Sequence, residues 1–164
     1  MLHKIIVSII LLVCFSIAGC KQRLPEGMPP LYPCTITLIQ DGKPLDLASV
    51  SFYASDTENF WALAGTSNDQ GVIEMTTNGP YKGVPAGVYK ITVEKVKSED
   101  IDVNRYCMVS LVDPQFGKRE TTPIQIEIKP SKKKGVNDQT IDLGKENKKR
   151  MTPPLPKTKG FGEN

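Results

Sequence analysis

Histidine is almost missing from this chain: His3 is the single one in 164 residues. It also falls in the leader expected to be cleaved, ahead of the apolar run that ends before Cys20. Without it, Ser-His-Asp and Cys-His nucleophile systems and histidine-ligated zinc sites have no proton carrier or ligand. Tryptophan occurs once, as Trp61, and aromatics make up 7% of residues. No aromatics are interleaved with the lysine runs, which argues against nucleic acid as a partner. No glycine loop followed by Lys-Ser/Thr is present to cradle a phosphate. Asn68-Asp69-Gln70-Gly71 lacks the alternating acids and the twelfth-position Glu of a calcium loop, so it reads as a turn. The acids are scattered between apolar residues as on strand surfaces, not paired as in a glycosidase. These absences imply no enzyme, no metal and no cofactor.

A long apolar run is present once, at the start. His3 and Lys4 precede Ile5–Ile17, mostly apolar, and small Ala18-Gly19 lead into Cys20. A charged start, an apolar stretch and small residues at its end describe a secretory signal peptide. A spanning helix fits less well, because sixteen residues at 1.5 Å rise reach about 24 Å against a core of ~30 Å. Ile17-Ala18-Gly19-Cys20 resembles the lipobox of bacterial lipoproteins, which implies a diacylglyceryl group on Cys20 and cleavage just before it. Residues 1–19 are then discarded, Cys14 among them. Lys21, where Asp would signal retention, favours the outer membrane over the inner.

The remaining charge is uneven. Residues 20–128 hold ten basic and fourteen acidic side chains, and residues 129–164 hold ten basic and four acidic. Lys132-Lys133-Lys134 and Lys148-Lys149-Arg150 read either as solvated runs or as attachment points for anionic lipid, polysaccharide or peptidoglycan. Cys34 and Cys107 also carry two readings. An oxidising envelope favours a disulfide, worth about 4 kcal/mol in the loop-entropy picture. Two free thiols are the alternative.

Four prolines in residues 21–33 suggest an extended tether. From Cys34 short β-type runs follow one another: 34–40, 48–54, 60–66, 72–77, 88–95, 105–112, 123–129, and a last one carrying Ile141 and Leu143. In VYKITVEK, Tyr89, Ile91 and Val93 point one way, while Lys90, Thr92 and Glu94 point to a wet face. Seven or eight strands with turn residues between them predict an all-β fold, a small antiparallel β-sandwich over 34–144. Residues 145–164, charged and proline-bearing, are expected to be a disordered basic tail.

Asp41-Gly42-Lys43-Pro44-Leu45, Val50-Ser51-Phe52-Tyr53, Gly65-Thr66-Ser67-Asn68-Asp69-Gln70-Gly71 and Tyr81–Val93 follow in that order. Together they resemble the carboxypeptidase regulatory-like domain, a transthyretin-like β-sandwich of bacterial envelope lipoproteins. Thr121–Ile124, Asn137 and Ile141–Leu143 are similar to its continuation in planctomycete-type members. The resemblance implies a non-catalytic scaffold or accessory module. Isopeptide cross-links occur in related sandwiches but need a buried lysine in an early strand, and Lys43 lies in a turn.

The remaining handles are aromatic. Trp61 reads either as core or as an exposed platform for a sugar ring, with Tyr53 and Tyr81 near a sandwich edge. Phe60 and Trp61 are adjacent, so they face opposite ways in a strand. The leading expectation is a membrane-anchored envelope lipoprotein serving structure or protein contact. Its rival is a glycan-binding lipoprotein.

Overall fold

The computed structural model describes residues 23–54, 61–102, 105–147 and 149–150, with backbone alone over 100–102, 105–107 and 149–150. Among them the elements are all β apart from one four-residue 3-10 turn, Pro114–Gly117. No helix among the described residues is long and apolar enough to cross a membrane. The leader and Cys20 lie outside the described residues.

Two sheets face each other across the core. The larger is built on β10 (Gly87–Glu94), paired antiparallel with β4 (Ser49–Ala54) on one side and β13 (Gln125–Ile128) on the other. Beyond β4 come β5 (Leu63–Thr66), β7 (Thr76–Thr77) and β8 (Tyr81–Lys82). The smaller is built on β2 (Thr35–Gln40), flanked by β3 (Lys43–Pro44), β6 (Val72–Glu74) and β14 (Gln139–Asp142). Alternation decides which side chains meet. Ile36 and Leu38 of β2, Val50 and Phe52 of β4, and Tyr89, Ile91 and Val93 of β10 are all buried, joined by Ile73, Met75, Ile128 and Ile141. Each such aliphatic side chain contributes about 1.5–3 kcal/mol by leaving water. The Phe52 and Tyr89 rings pack with centroids 5.7 Å apart, and Tyr89 Oη donates to Pro85 O at 3.0 Å. That bond pins the corner where the chain enters β10.

The turn chemistry matches the conformations found. Asp41 and Gly42 both take positive φ, 50° and 70°, the pattern that closes a two-residue hairpin between β2 and β3. Asn68 Oδ1 accepts from Gln70 N and Val72 N at 3.0 and 2.9 Å. The side chain thus closes its own turn, as expected, and its oxygen is committed.

Several expectations need correction. Residues 72–77 form two strands, not one: β6 pairs with β2, β7 with β5, and Met75 carries the chain from sheet to sheet. One central pairing is parallel, β14 with β2, inside an otherwise antiparallel sandwich. The expected wet face of β10 is half covered, because the 3-10 turn packs against it and Thr92 is buried. The body also begins before residue 34. Met28 is buried, and β1 (Leu31–Tyr32) pairs with β9 (Val84–Pro85). At the other terminus the tail does not leave at 145: Asn147 N donates to Leu111 O at 3.0 Å, and β15 (Lys149–Arg150) pairs with β12 (Arg105–Ser110). Residues 151–164 lie outside the described residues.

A further strand, β11 (Val96–Asp102), has no counterpart in the alternation. It forms an antiparallel hairpin with β12. Both faces of Val96–Ser98 are exposed, and the hairpin packs chiefly on itself and β15. Seven residues at ~3.3 Å make an arm of about 23 Å.

Candidate functional site

The sandwich has two distinct ends. At one, the incoming chain lies against Val84–Pro85, β2 starts at Thr35, β13 finishes at Ile128 opposite Gly87, and β14 starts at Gln139 opposite Ile36. At the other, Glu94 lies opposite Ser49, Gln40 Nε2 donates to Leu111 O at 2.9 Å, and the β11–β12 arm departs. We call these the tether end and the arm end.

A cleft of about 220 Å³ opens at the tether end. Pro33, Cys34, Met75 and Gly83 line it together with Glu74, Lys82, Lys134 and Asp138. Lys82 Nζ reaches Glu74 Oε2 at 2.8 Å. Hydrogen bonding and then attraction to Lys82 hold the Glu74 carboxyl below its ordinary range and raise the Lys82 ammonium. Asp138 Oδ1 accepts from Thr35 N at 3.1 Å. The charges lining the cleft therefore largely satisfy one another.

Cys34 sits at its floor. Burial first, and then the charge of Asp138, push its thiol up to about 12. The Sγ–H points at Asn137 O, 3.4 Å away. Such a group stays neutral at physiological pH and is no nucleophile. Cys34 is a free thiol here, the second of the two readings, and the side chain of Cys107 lies outside the described residues. The Cys34 side chain faces the sandwich core, whereas Cys107 lies in the arm, opposite Glu99. Iodoacetamide at pH 8 is expected to leave Cys34 unmodified in the folded protein and to alkylate it after denaturation. Quantitative labelling in the native state, read by mass spectrometry, would contradict the buried thiol.

The three aromatics proposed to touch a glycan do not converge. Tyr53 is in register with Lys90 on the outer face of the large sheet and is 39% exposed. The Arg119 guanidinium lies 5.9 Å from its ring centroid and donates to Ala54 O at 3.2 Å. Tyr81 lies opposite Thr77, which lies opposite buried Leu63, so Tyr81 is on the core-facing side of the same sheet. Trp61 is partly buried against the core cluster. Phe60 lies outside the described residues. Among the described residues no group of three His, Cys, Asp or Glu is placed to hold a metal. Lys43 is exposed, and it lies in the short strand β3 opposite Gln40 rather than in the turn itself.

No protein-family profile matches the chain, and no curated protein does. Among solved structures it is similar to BcpA, the major pilin subunit of Bacillus cereus. Identity is 15%, the TM-score 0.42, and the match covers 74% of this chain and 31% of the pilin chain. A 9R-lipoxygenase from Cyanothece is also similar, at 16% identity and a TM-score of 0.32 over 88% of this chain and 22% of that one. The chain thus spans about a third of the pilin's length. At these TM-scores neither likeness carries over to this chain's architecture or activity.

Sequence reasoning missed two features. One is β11, the half of the arm that lacks an apolar alternation, whereas its partner β12 falls within the expected run 105–112. The other is the hydrogen-bonding role of Asn137, which is 1% exposed. Its Oδ1 accepts from Lys129 N at 2.8 Å, and its Nδ2 donates to Pro33 O and Lys129 O, both at 3.2 Å. A lone Asn in a lysine-rich loop gives no sign that it is buried.

Proposed function

We propose that this protein is an exported bacterial lipoprotein, held to a membrane by lipid on Cys20, whose sandwich is a non-catalytic display module of the carboxypeptidase regulatory-like kind. The observation that carries this reading is the opposition of the two ends. The chain from Cys20 enters at one, and the β11–β12 arm leaves from the other. A domain anchored at its tether end presents the arm outward. The half-charged, self-satisfied cleft and the neutral Cys34 thiol supply no acid, base or nucleophile poised for turnover. The outer membrane is the favoured location, on the strength of Lys21.

Metabolic palmitate labelling with fractionation tests the anchor. Wild type is expected to be labelled and to sediment with membranes, whereas Cys20→Ser is unlabelled and soluble. An unlabelled wild type, with Cys20→Ser unchanged in distribution, sinks the reading. A photo-crosslinker at exposed Ser98 in the same cells should capture an envelope protein that one at Thr140 does not. The glycan reading contracts to Tyr53, since Trp61 and Tyr81 face elsewhere. Polysaccharide binding abolished by Tyr53→Ala would restore it.

A further inference from the structure

The loop joining β13 to β14 lies at the tether end, because one strand finishes there and the other starts there. It carries Lys129, Lys132, Lys133 and Lys134, all exposed. Among the described residues the salt bridges are Glu74–Lys82 and Asp46–Lys95, so Lys132 and Lys133 have no acidic partner. Beside them Val136 is 39% exposed, an apolar side chain at the rim of a cationic loop. The loop is not floppy at its neck. Asn137 bonds both the N–H and the carbonyl of Lys129, closing the ring on itself and tying it to Pro33 O.

We infer that this loop is a docking surface for anionic lipid headgroups, which sets the sandwich upright on the bilayer. The inference rests on the anchored reading above. Three arguments single out a bilayer. First, Met28, where the chain first packs on the body, is only eight residue steps along the chain from Cys20. At about 3.5 Å per residue the tether end cannot rise more than roughly 28 Å from the headgroups. Second, charge is polarised along the same axis. The carboxylates at the tether end, Glu26, Glu74, Glu127 and Asp138, are outnumbered by its cations, whereas among the described side chains at the arm end Asp41, Asp46, Asp69, Glu94, Glu99, Asp113 and Asp142 outnumber Lys43, Lys95, Lys97 and Lys145. A negative surface therefore favours the tether end over the arm end. Third, cations flanking an exposed aliphatic side chain suit an interface, with charge at the phosphates and Val136 at the acyl boundary.

The test uses the unacylated chain from Cys20 onward, which retains every described residue. Co-sedimentation is measured with phosphatidylcholine vesicles, with and without a one-third share of phosphatidylglycerol. Wild type should prefer the anionic vesicles and lose that preference in high salt. Each juxtamembrane lysine is worth about fivefold in partitioning, so Lys132→Gln, Lys133→Gln and Lys134→Gln together should weaken it on the order of a hundredfold. Lys43→Gln with Lys97→Gln, at the arm end, should leave it unchanged. Thermal unfolding of each variant should match wild type, because the replaced side chains are exposed. The inference is overturned if the triple variant sediments like wild type or if anionic lipid makes no difference. Retention on insoluble peptidoglycan without retention on anionic vesicles overturns it too. Because no acyl chain is present, a failure here is separable from a failure of palmitate labelling.

Discussion

Replacing Asn137 by Ala is expected to lower the thermal midpoint by about 10 °C, the larger effect coming from what the substitution leaves behind. Asn137 is 1% exposed, and its amide serves three backbone groups on two segments, Lys129 N, Lys129 O and Pro33 O. A buried group that loses its partner costs about 1–3 kcal/mol. Lys129 is itself exposed, so water recovers part of that loss. A net cost of about 3 kcal/mol is reasonable, and each kcal/mol moves the midpoint of a domain this size by roughly 3–4 °C. Asn137→Asp sharpens the test. The carboxylate still accepts from Lys129 N but turns a second oxygen on two carbonyls, beside Asp138. Burial raises the pKa of such a carboxyl in the folded state. The variant's stability relative to wild type should therefore be poorest at pH 7 and improve as pH falls and the group protonates. An Asp variant as stable as wild type at pH 7, in urea unfolding, would remove the clamp from the account.

The sandwich itself was legible where one face is wet and the other dry. Strands β2, β4, β10 and β13 carry that asymmetry in their side chains, and each was found within a residue or two of its expected bounds. Of the arm, β12 was legible within 105–112 and β11 was not, for the same reason turned round. Nothing covers either face of Val96–Ser98, so no alternation is imposed on β11, and backbone pairing with β12 holds it. Residues 72–77 show a second limit. Their alternation reveals that a strand is there but not which neighbour it has, and Met75 changes sheets mid-run. The prolines of residues 21–33 suggested a free tether because proline disfavours ladders. Yet Pro85 and the short β1 make a two-residue edge pair, which proline tolerates. Among the aromatics, adjacent Phe52 and Tyr53 face opposite sides of β4, one buried and one exposed, but such parity has no bearing on Tyr81, whose facing depends on the register of β7 with β8. Lipidation at Cys20 stands on four residues of sequence alone.

Gly71→Ala should destabilise the fold by about 3–4 kcal/mol, and the paired substitution Gly42→Ala by about 1 kcal/mol, although both glycines have the same backbone sign. Gly71 sits at φ 72° and Gly42 at φ 70°. Leaving glycine costs each position about 1–2 kcal/mol for the left-handed conformation. Surroundings make the difference. A Cβ on Gly42 meets nothing within 4 Å, whereas one on Gly71 would lie 2.5 Å from Leu38 O and 3.1 Å from Leu45 N. Those are not soft side-chain tips. Leu38 N donates to Gly71 O at 2.8 Å, and Leu38 O accepts from Leu45 N at 3.0 Å. The Cβ must therefore push apart the backbone of β2, the strand on which the smaller sheet is built, and lengthen both bonds at a residue whose side chain is fully buried. Denaturant midpoints for the two variants isolate the close-approach contribution, since the conformational cost cancels in the difference. Equal losses from the two glycines would mean that β2 yields freely at Leu38, and the turn would then do no more than reverse the chain.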